Sequence, residues 1–518
     1  MRKILIGTLL LLASGAAWSQ EVPANFATQA VETTLQQFLA TRNAAGMGLY
    51  QPSSGSKTQI EGFYSAGDDH LAQQGSPDYG FDFSTLRYDR FSDKLFMRGS
   101  FHYCFDREKE RPWSDVMDPW FSIPYIYGNS IAKDYDKHRC GLTFDLYTAP
   151  LAGVVSVGVR TAYEVADISG LRDPRPRTGY LNWQVIPSVL ISVGRHHVGL
   201  DLGYGYSKEK LSGLSTIQSY PNLYYYRMSG LDHMEGTVGA YTSFKRQFYG
   251  GRFLGDLSYN YVAPGFRALV SGGLEYGQLE AYGDKMQNPG SYNSFLYSAV
   301  ADIQWQRGSF LHQWHLSGSI KDAGGDEHLQ ELVTETDPVT KVISQNWVTL
   351  YTFKNRYILG QTEAALDYTL FGGLSGTDYR WSVRAGVSYA AFKKECFLPY
   401  AEFSSKRLGF SAGGSFRLLE VRGHKLEIDI LAQGGLPLKV TQGLLNDNQY
   451  TQEVLEADAA YYRKLRVGGS GNLTWTFPLN LGKAGWANGY VRLDGLYSRA
   501  LPAGSLSHVG LTVGLFTF

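Results

Sequence analysis

Two acids and two tryptophans crowd one stretch of the chain: Asp115, Asp118, Trp113 and Trp120, with Pro119 and Pro124 among them. Carboxylates and aromatic rings brought to a narrow passage select the ions or solutes that cross it. The same residues would also make a rigid surface loop, its prolines setting turns and its tryptophans packing locally. The sequence leaves both readings open. A second stretch, Arg172, Asp173 and Arg175 within RDPRP, carries mostly the opposite charge. A carboxylate taken out of water needs a cation. Asp115 or Asp118 is therefore expected within ion-pair reach of Arg98, Arg160, Arg172 or Arg175, with Trp113 or Trp120 buried. If both acids and both tryptophans stand in solvent instead, the loop is a docking surface.

Other combinations offer less. His315 and Ser317 lie two residues apart, as do Ser100 and His102. That spacing puts both side chains on one face of a strand, as lipid hydrolases of barrel type require. Trp314 and Leu316 take the apolar face, however, and turn His315 and Ser317 the other way. A lipid enzyme is thus the weakest reading, and no catalytic residue is assigned. No His, Asp or Glu cluster has a local metal-ligand spacing. The glycine-rich stretch 272–277 lacks the strand–loop–helix setting of a phosphate loop. No cofactor or metal is expected. The 3 cysteines give no even framework, and Cys104 and Cys140 fall on opposite strand faces, which disfavours a bridge.

The elements that position these residues are strands. Leu465, Val467, Gly469, Gly471, Leu473, Trp475 and Phe477 alternate with Lys464, Arg466, Gly468, Ser470, Asn472, Thr474 and Thr476. A period of two makes a strand with one apolar and one polar face. The pattern recurs in 294–305, 379–389, 198–207 and 508–515, with aromatics towards the ends of the apolar faces. Connections alternate between tight ones, such as 194–196 and 422–423, and longer ones, such as 107–134, 212–245, 322–351 and 436–459. This is the plan of a closed antiparallel transmembrane β-barrel, about eighteen strands by turn count, with sixteen or fourteen also compatible. On these phases Tyr297, Trp305, Trp381, Leu473 and Trp475 face lipid, and Arg384, Arg466 and Arg492 face the lumen.

Residues 1–20 read as a signal peptide: Arg2 and Lys3, an apolar run, then small residues before Gln20. Residues 21–54 are not strand-like. Val31, Leu35, Phe38 and Leu39 share one helical face, giving a short N-terminal helix in a periplasmic, plug-like segment. Residues 55–518 form the barrel. Lysine plus arginine equals aspartate plus glutamate at 48 each, so charge gives no reason to expect nucleic acid. A mean hydropathy of −0.23 looks soluble, as it does when a lipid-facing band hides within alternation.

The segments 113–130 (WSDVMDPWFSIPYIYGNS), 172–176 (RDPRP) and 42–50 (RNAAGMGLY) resemble the Bacteroidota outer-membrane β-barrel family called domain of unknown function 6850. After the Pro-Tyr pair the chain has Asn129, Ser130, Ile131, Ala132 and Lys133 where the family pattern has Asp-Ser-x-Gly-Gly. The resemblance implies an outer-membrane barrel with no established activity, and gene neighbourhoods shared with TonB-dependent receptors. The expected function is a porin-like channel or uptake component for a small solute. The alternative is a non-transporting barrel docking with a TonB-dependent transporter or a surface lipoprotein. Outer-membrane lipid surrounds the barrel in either case, and both termini are periplasmic.

Overall fold

The computed structural model describes residues 25–51, 55–120, 123–215, 224–237, 244–283, 286–336, 338–341, 343–482 and 486–517. Residues 1–20, expected as a signal peptide, lie outside them. The alternating segments form one antiparallel sheet of 18 strands. The sheet closes where Gly55–Gly67 pairs with Ser505–Thr517, in register from Ser56 opposite Thr517 to Gly67 opposite Leu506. Closure removes the free sheet edges that a lipid environment would leave unsatisfied.

The barrel follows from the two-faced strands. Leu200, Leu202, Leu257, Tyr297, Leu316, Leu473, Trp475, Leu493 and Leu511 all project outward and are exposed. Their neighbours turn inward: Asp201, Asp256, Asp302 and Thr474 are buried. At one end the strands are joined by tight turns. In one of them Arg422 and Gly423 take φ of +51° and +82°, both left-handed, which matches the twist of a two-residue hairpin. At the other end the connections are long.

Two regions depart from the expected boundaries. The stretch expected as a loop over 322–351 is mostly strand. Phe310–Thr336 and Ile343–Gly372 pair with each other to Thr336 opposite Ile343. Thr334, Glu335, Gln345 and Asn346 hide the alternation because most of the far hairpin meets solvent on both sides. The expected loop 212–245 contains two short strands, Tyr226–Ser229 and His233–Thr237, which join Tyr125–Gly128 in a separate three-stranded sheet. Segments of four or five residues are too short to carry a readable period.

At the tight-turn end the N-terminal segment enters the lumen. Helix α1 (Phe26–Leu35) is capped by Asn25, whose side chain accepts from the Thr28 amide at 3.0 Å. The helix stops at Leu35, so Phe38 belongs to a following 3-10 turn, Gln37–Ala40, rather than to α1. Val31 packs on Leu311 and Phe371, and Phe38 on Met47, Phe96 and Tyr147. Among the described residues no helix is long and apolar enough to cross a membrane.

Candidate functional site: segments inside the barrel lumen

Residues 112–120 and 123–132 fold into the long-loop end of the barrel. Trp113 is 1% exposed, and its indole Nε1 donates to Glu453 at 2.7 Å. Its backbone sits at φ +58°, and its carbonyl accepts from Gln73 at 2.8 Å. Tyr450 stands edge-on to the indole. Val116, Ile123, Tyr125, Met228, Leu231, Val454 and Leu455 complete an apolar core against inward side chains of the wall, among them Tyr292, Tyr357, Phe392 and Phe403. The cap is thus a small hydrophobic core built inside the barrel mouth. Helix α2 (Glu456–Arg463) contributes Ala459 to it.

Asp115 is buried in this cap and pairs with Arg246 at 3.3 Å, both side chains being fully buried. Arg246 also reaches Glu209 at 3.2 Å. The Asp115 carbonyl accepts from Thr178 at 2.7 Å and from Arg246 at 3.3 Å. Burial raises the Asp115 carboxyl above its usual range while Arg246 opposes the rise. Burial and the neighbouring Asp115 push the Tyr225 phenol well above its ordinary value. The partner of Asp115 is therefore Arg246, not any of the four arginines expected from proximity in sequence. Arg246 opens the strand Arg246–Ala263 and closes a long loop, so nothing in its local pattern marks it.

Asp118 is exposed and accepts from the Trp120 amide at 3.0 Å. Trp120 is half-buried, and its carbonyl accepts from Lys394 at 2.5 Å. Arg175 pairs with Asp173 at 2.9 Å, closing RDPRP on itself. Arg172 is exposed. These residues flank the cap but do not meet Asp115 in a ring. Sequence reading also missed Asp232, which ties the small sheet to the segment before α2: its carboxylate accepts from the amides of Leu445 and Asn446 at 2.7 and 2.9 Å. Asp458 in α2 accepts from the Ala72 amide at 2.8 Å. Its burial raises its carboxyl pKa to about 6.

Arg98 and Arg160 lie at the opposite end. Both bind the buried Asp145, at 3.1 and 2.6 Å. Arg160 also donates to the Thr41 carbonyl at 2.6 Å, so it holds the N-terminal segment rather than the cap loop. That segment adds polar contacts to the apolar packing of Val31, Phe38 and Met47. Gln37 donates to the Asp302 side chain at 2.8 Å and accepts from Asn260 at 2.8 Å. Arg42 pairs with Glu275 at 3.1 Å and Asp256 at 3.5 Å. The Ala45 amide donates to Ser188 at 2.9 Å. The motif RNAAG explains itself here. A Cβ at Gly158 of the wall would lie 2.6 Å from the Ala45 nitrogen, and one at Gly46 would strike the Phe38 ring. Small residues on both sides let backbone approach backbone.

Between plug and wall lies a cavity of about 450 Å³. Phe26 and Ala30 of α1 line one side; Arg384, Arg417, Glu427, Asp429, Arg492, Asp494 and His508 are among the wall residues. Arg384 pairs with Asp429 at 2.6 Å. Arg466, also inward, pairs with Asp69 at 2.5 Å. His315 faces the lumen beside Asp302, at 3.3 Å, while Trp314 and Leu316 face out. Cys104, Cys140 and Cys396 are free thiols.

Among solved structures, the copper transporter OprC is similar, with 9% identity over 89% of this chain and 81% of that one, at a TM-score of 0.37. The ferric preacinetobactin receptor BauA of Acinetobacter baumannii has 7% identity, 89% and 80% coverage, and a TM-score of 0.38. A Pseudomonas aeruginosa FadL homologue has 10% identity, 92% and 93% coverage, and a TM-score of 0.33. No curated protein matches the chain. The model of the Family of unknown function (DUF6850) matches residues 44–517, from within the RNAAG plug motif through the last barrel strand, and the chain belongs to that family.

Proposed function

We propose that this protein is a gated outer-membrane barrel that passes a small polar solute, with the N-terminal segment as its movable gate. The outward apolar belt supports insertion in a bilayer, and the even strand number keeps both chain ends on one side, which we assign to the periplasm. The observation that carries the reading is the contrast inside the lumen. A charged cavity adjoins a plug that joins the wall through two small apolar clusters, around Phe38 and around Val31, and through hydrogen bonds and partly hydrated ion pairs, the polar ones being contacts that water can replace at small cost. Rings of mixed charge suit a hydrated passage.

Single-channel recording in planar bilayers tests the proposal. The full chain should show rare openings, and the double variant Gln37→Ala/Arg42→Ala should open at least tenfold more often. A variant as silent as the parent sinks the transport reading. One observation favours a second reading, that of a docking barrel. The hairpin over 328–353 carries exposed Leu329, Ile343, Val348, Leu350 and Tyr351. These apolar side chains would suit a partner such as a TonB-dependent transporter or a surface lipoprotein. Co-purification lost on Leu350→Glu/Tyr351→Glu would support it. On neither reading is the chain an enzyme.

A further inference from the structure

Three residues that no sequence spacing connects meet on the lumen wall. Glu61, Asp494 and His508 stand on three neighbouring strands, Gly55–Gly67, Trp486–Leu501 and Ser505–Thr517. Register brings them together: Asp494 lies opposite Gly510, and Glu61 opposite Thr512. One donor atom from each lies within 4.8 Å of the other two. Gly510 makes this possible, since a Cβ there would stand 2.6 Å from an Asp494 oxygen and 2.8 Å from a Glu61 oxygen. The two carboxylates lean over a backbone that carries no side chain.

We infer that Glu61, Asp494 and His508 form a binding site for a divalent first-row transition-metal cation. The imidazole is presented as a ligand needs to be. Ser65 lies 2.7 Å from His508 Nδ1. With the Nδ1 proton donated to that hydroxyl, the Nε2 lone pair is free, the outer-shell arrangement that orients metal-bound histidines. Nε2 stands 3.4 Å from Asp494 Oδ2. That is longer than a charge-assisted hydrogen bond of about 2.7–2.9 Å. It matches the separation of about 3.4 Å between two donors bound at about 2.0–2.1 Å to one tetrahedral ion. Rotation of the Glu61 side chain closes the remaining gap. Asp494 and His508 line the lumen cavity, so an ion reaches the site and a coordination position stays open to water. One nitrogen and two carboxylate oxygens suit zinc, cobalt or nickel better than calcium, which takes six to eight oxygens.

A neighbouring pair shows what a closed arrangement looks like. His102 Nε2 lies 2.5 Å from Asp82, so both groups are spent on each other. Ser65, His508 and Asp494 also form the string of a hydrolytic triad. The main-chain N–H groups around Ser65 and His508 are paired within the sheet, however, because each strand has a neighbour on both sides. Two free backbone donors for an oxyanion are therefore lacking there.

The test is independent of whether the barrel conducts. The full chain in detergent is titrated with Co²⁺ and followed by visible absorption, then back-titrated with Zn²⁺. We expect one saturable Co²⁺ site displaced by Zn²⁺. His508→Ala should weaken it by at least tenfold, and Ser65→Ala by roughly 10–100-fold. His102→Ala should leave it unchanged. If His508→Ala does not fold, judged by its heat-dependent gel mobility, Glu61→Gln takes its place with the same expected loss. Overturning results are an absence of saturable Co²⁺ binding, equal affinity in His508→Ala or its Glu61→Gln substitute, loss in His102→Ala, or a thiolate-to-cobalt band that puts the metal on a cysteine.

Discussion

The two ends of the lumen are occupied by segments held in different ways. At the long-loop end, Trp113, Val116, Tyr125, Met228, Val454 and Leu455 build an apolar core around a fully buried ion pair. At the tight-turn end, residues 25–50 are held by polar contacts of Gln37, Arg42, Ala45 and the Thr41 carbonyl to the wall and by two smaller apolar clusters around Phe38 and Val31. Undocking the cap exposes apolar surface and unpairs a buried charge. Undocking the plug exposes less apolar surface, that of Val31, Phe38 and Met47, and otherwise exchanges hydrogen bonds with protein for hydrogen bonds with water, which costs about 0.5–1.5 kcal/mol each. On the proposed function, the plug is the end that moves and the cap is the end that stays.

The largest effects should come from breaking the cap. Trp113→Ala removes a buried ring and the donor to Glu453, and should destabilise the cap by about 3–5 kcal/mol. Limited proteolysis within 112–132 reads that loss, and cleavage no faster than in the parent would mean the core does not hold the loop. Arg246→Met leaves Asp115 buried without its cation, a loss of about 3–5 kcal/mol. Adding Asp115→Leu should recover part of it. If the double variant is no better protected than the single one, the pair is not the unit described.

A smaller effect on the cap comes through pH. The carboxyl of Asp458 is raised to about 6 in the docked cap, against about 3.9 when free. The docked state then binds the proton more tightly, so docking strengthens as pH falls from above 6 towards 4. Opening at α2 should be about tenfold rarer at pH 5 than at pH 7.5, and Asp458→Asn should flatten the dependence. Hydrogen exchange in 456–463 measures it; the opposite slope would contradict the assigned burial. The smallest stability effect belongs to the plug. Arg42→Ala should cost about 1 kcal/mol or less, because its ion pairs are partly hydrated. A thermal midpoint shifted as far as by Trp113→Ala would erase the contrast between the ends.

Much of the wall was legible in the sequence, and little of what fills it. Alternation such as that of 464–477 fixes a face for every residue, because lipid and lumen make opposite demands on neighbouring side chains. Leu473 and Trp475 accordingly lie outward, and Arg466 inward. The plug contacts join Gln37 to Asp302 and Arg42 to Glu275 across more than two hundred residues, and no local pattern encodes such pairs. Asp115 found Arg246 because the loop follows its apolar residues into the mouth, away from the strands that bracket it in sequence. The triad of Glu61, Asp494 and His508 was hidden for a related reason: barrel closure joins the first strand to the last, which local ligand spacing cannot show.

On the proposed function, the plug opens more readily than the cap. Hydrogen–deuterium exchange of the full chain in lipid nanodiscs compares amides of residues 26–50 with those of 113–128 and 451–463 in one experiment. Faster exchange throughout the plug, slowed little by the cap and accelerated further by Arg42→Ala, is the predicted result. Plug amides protected as well as those of the cap, or better, would contradict it.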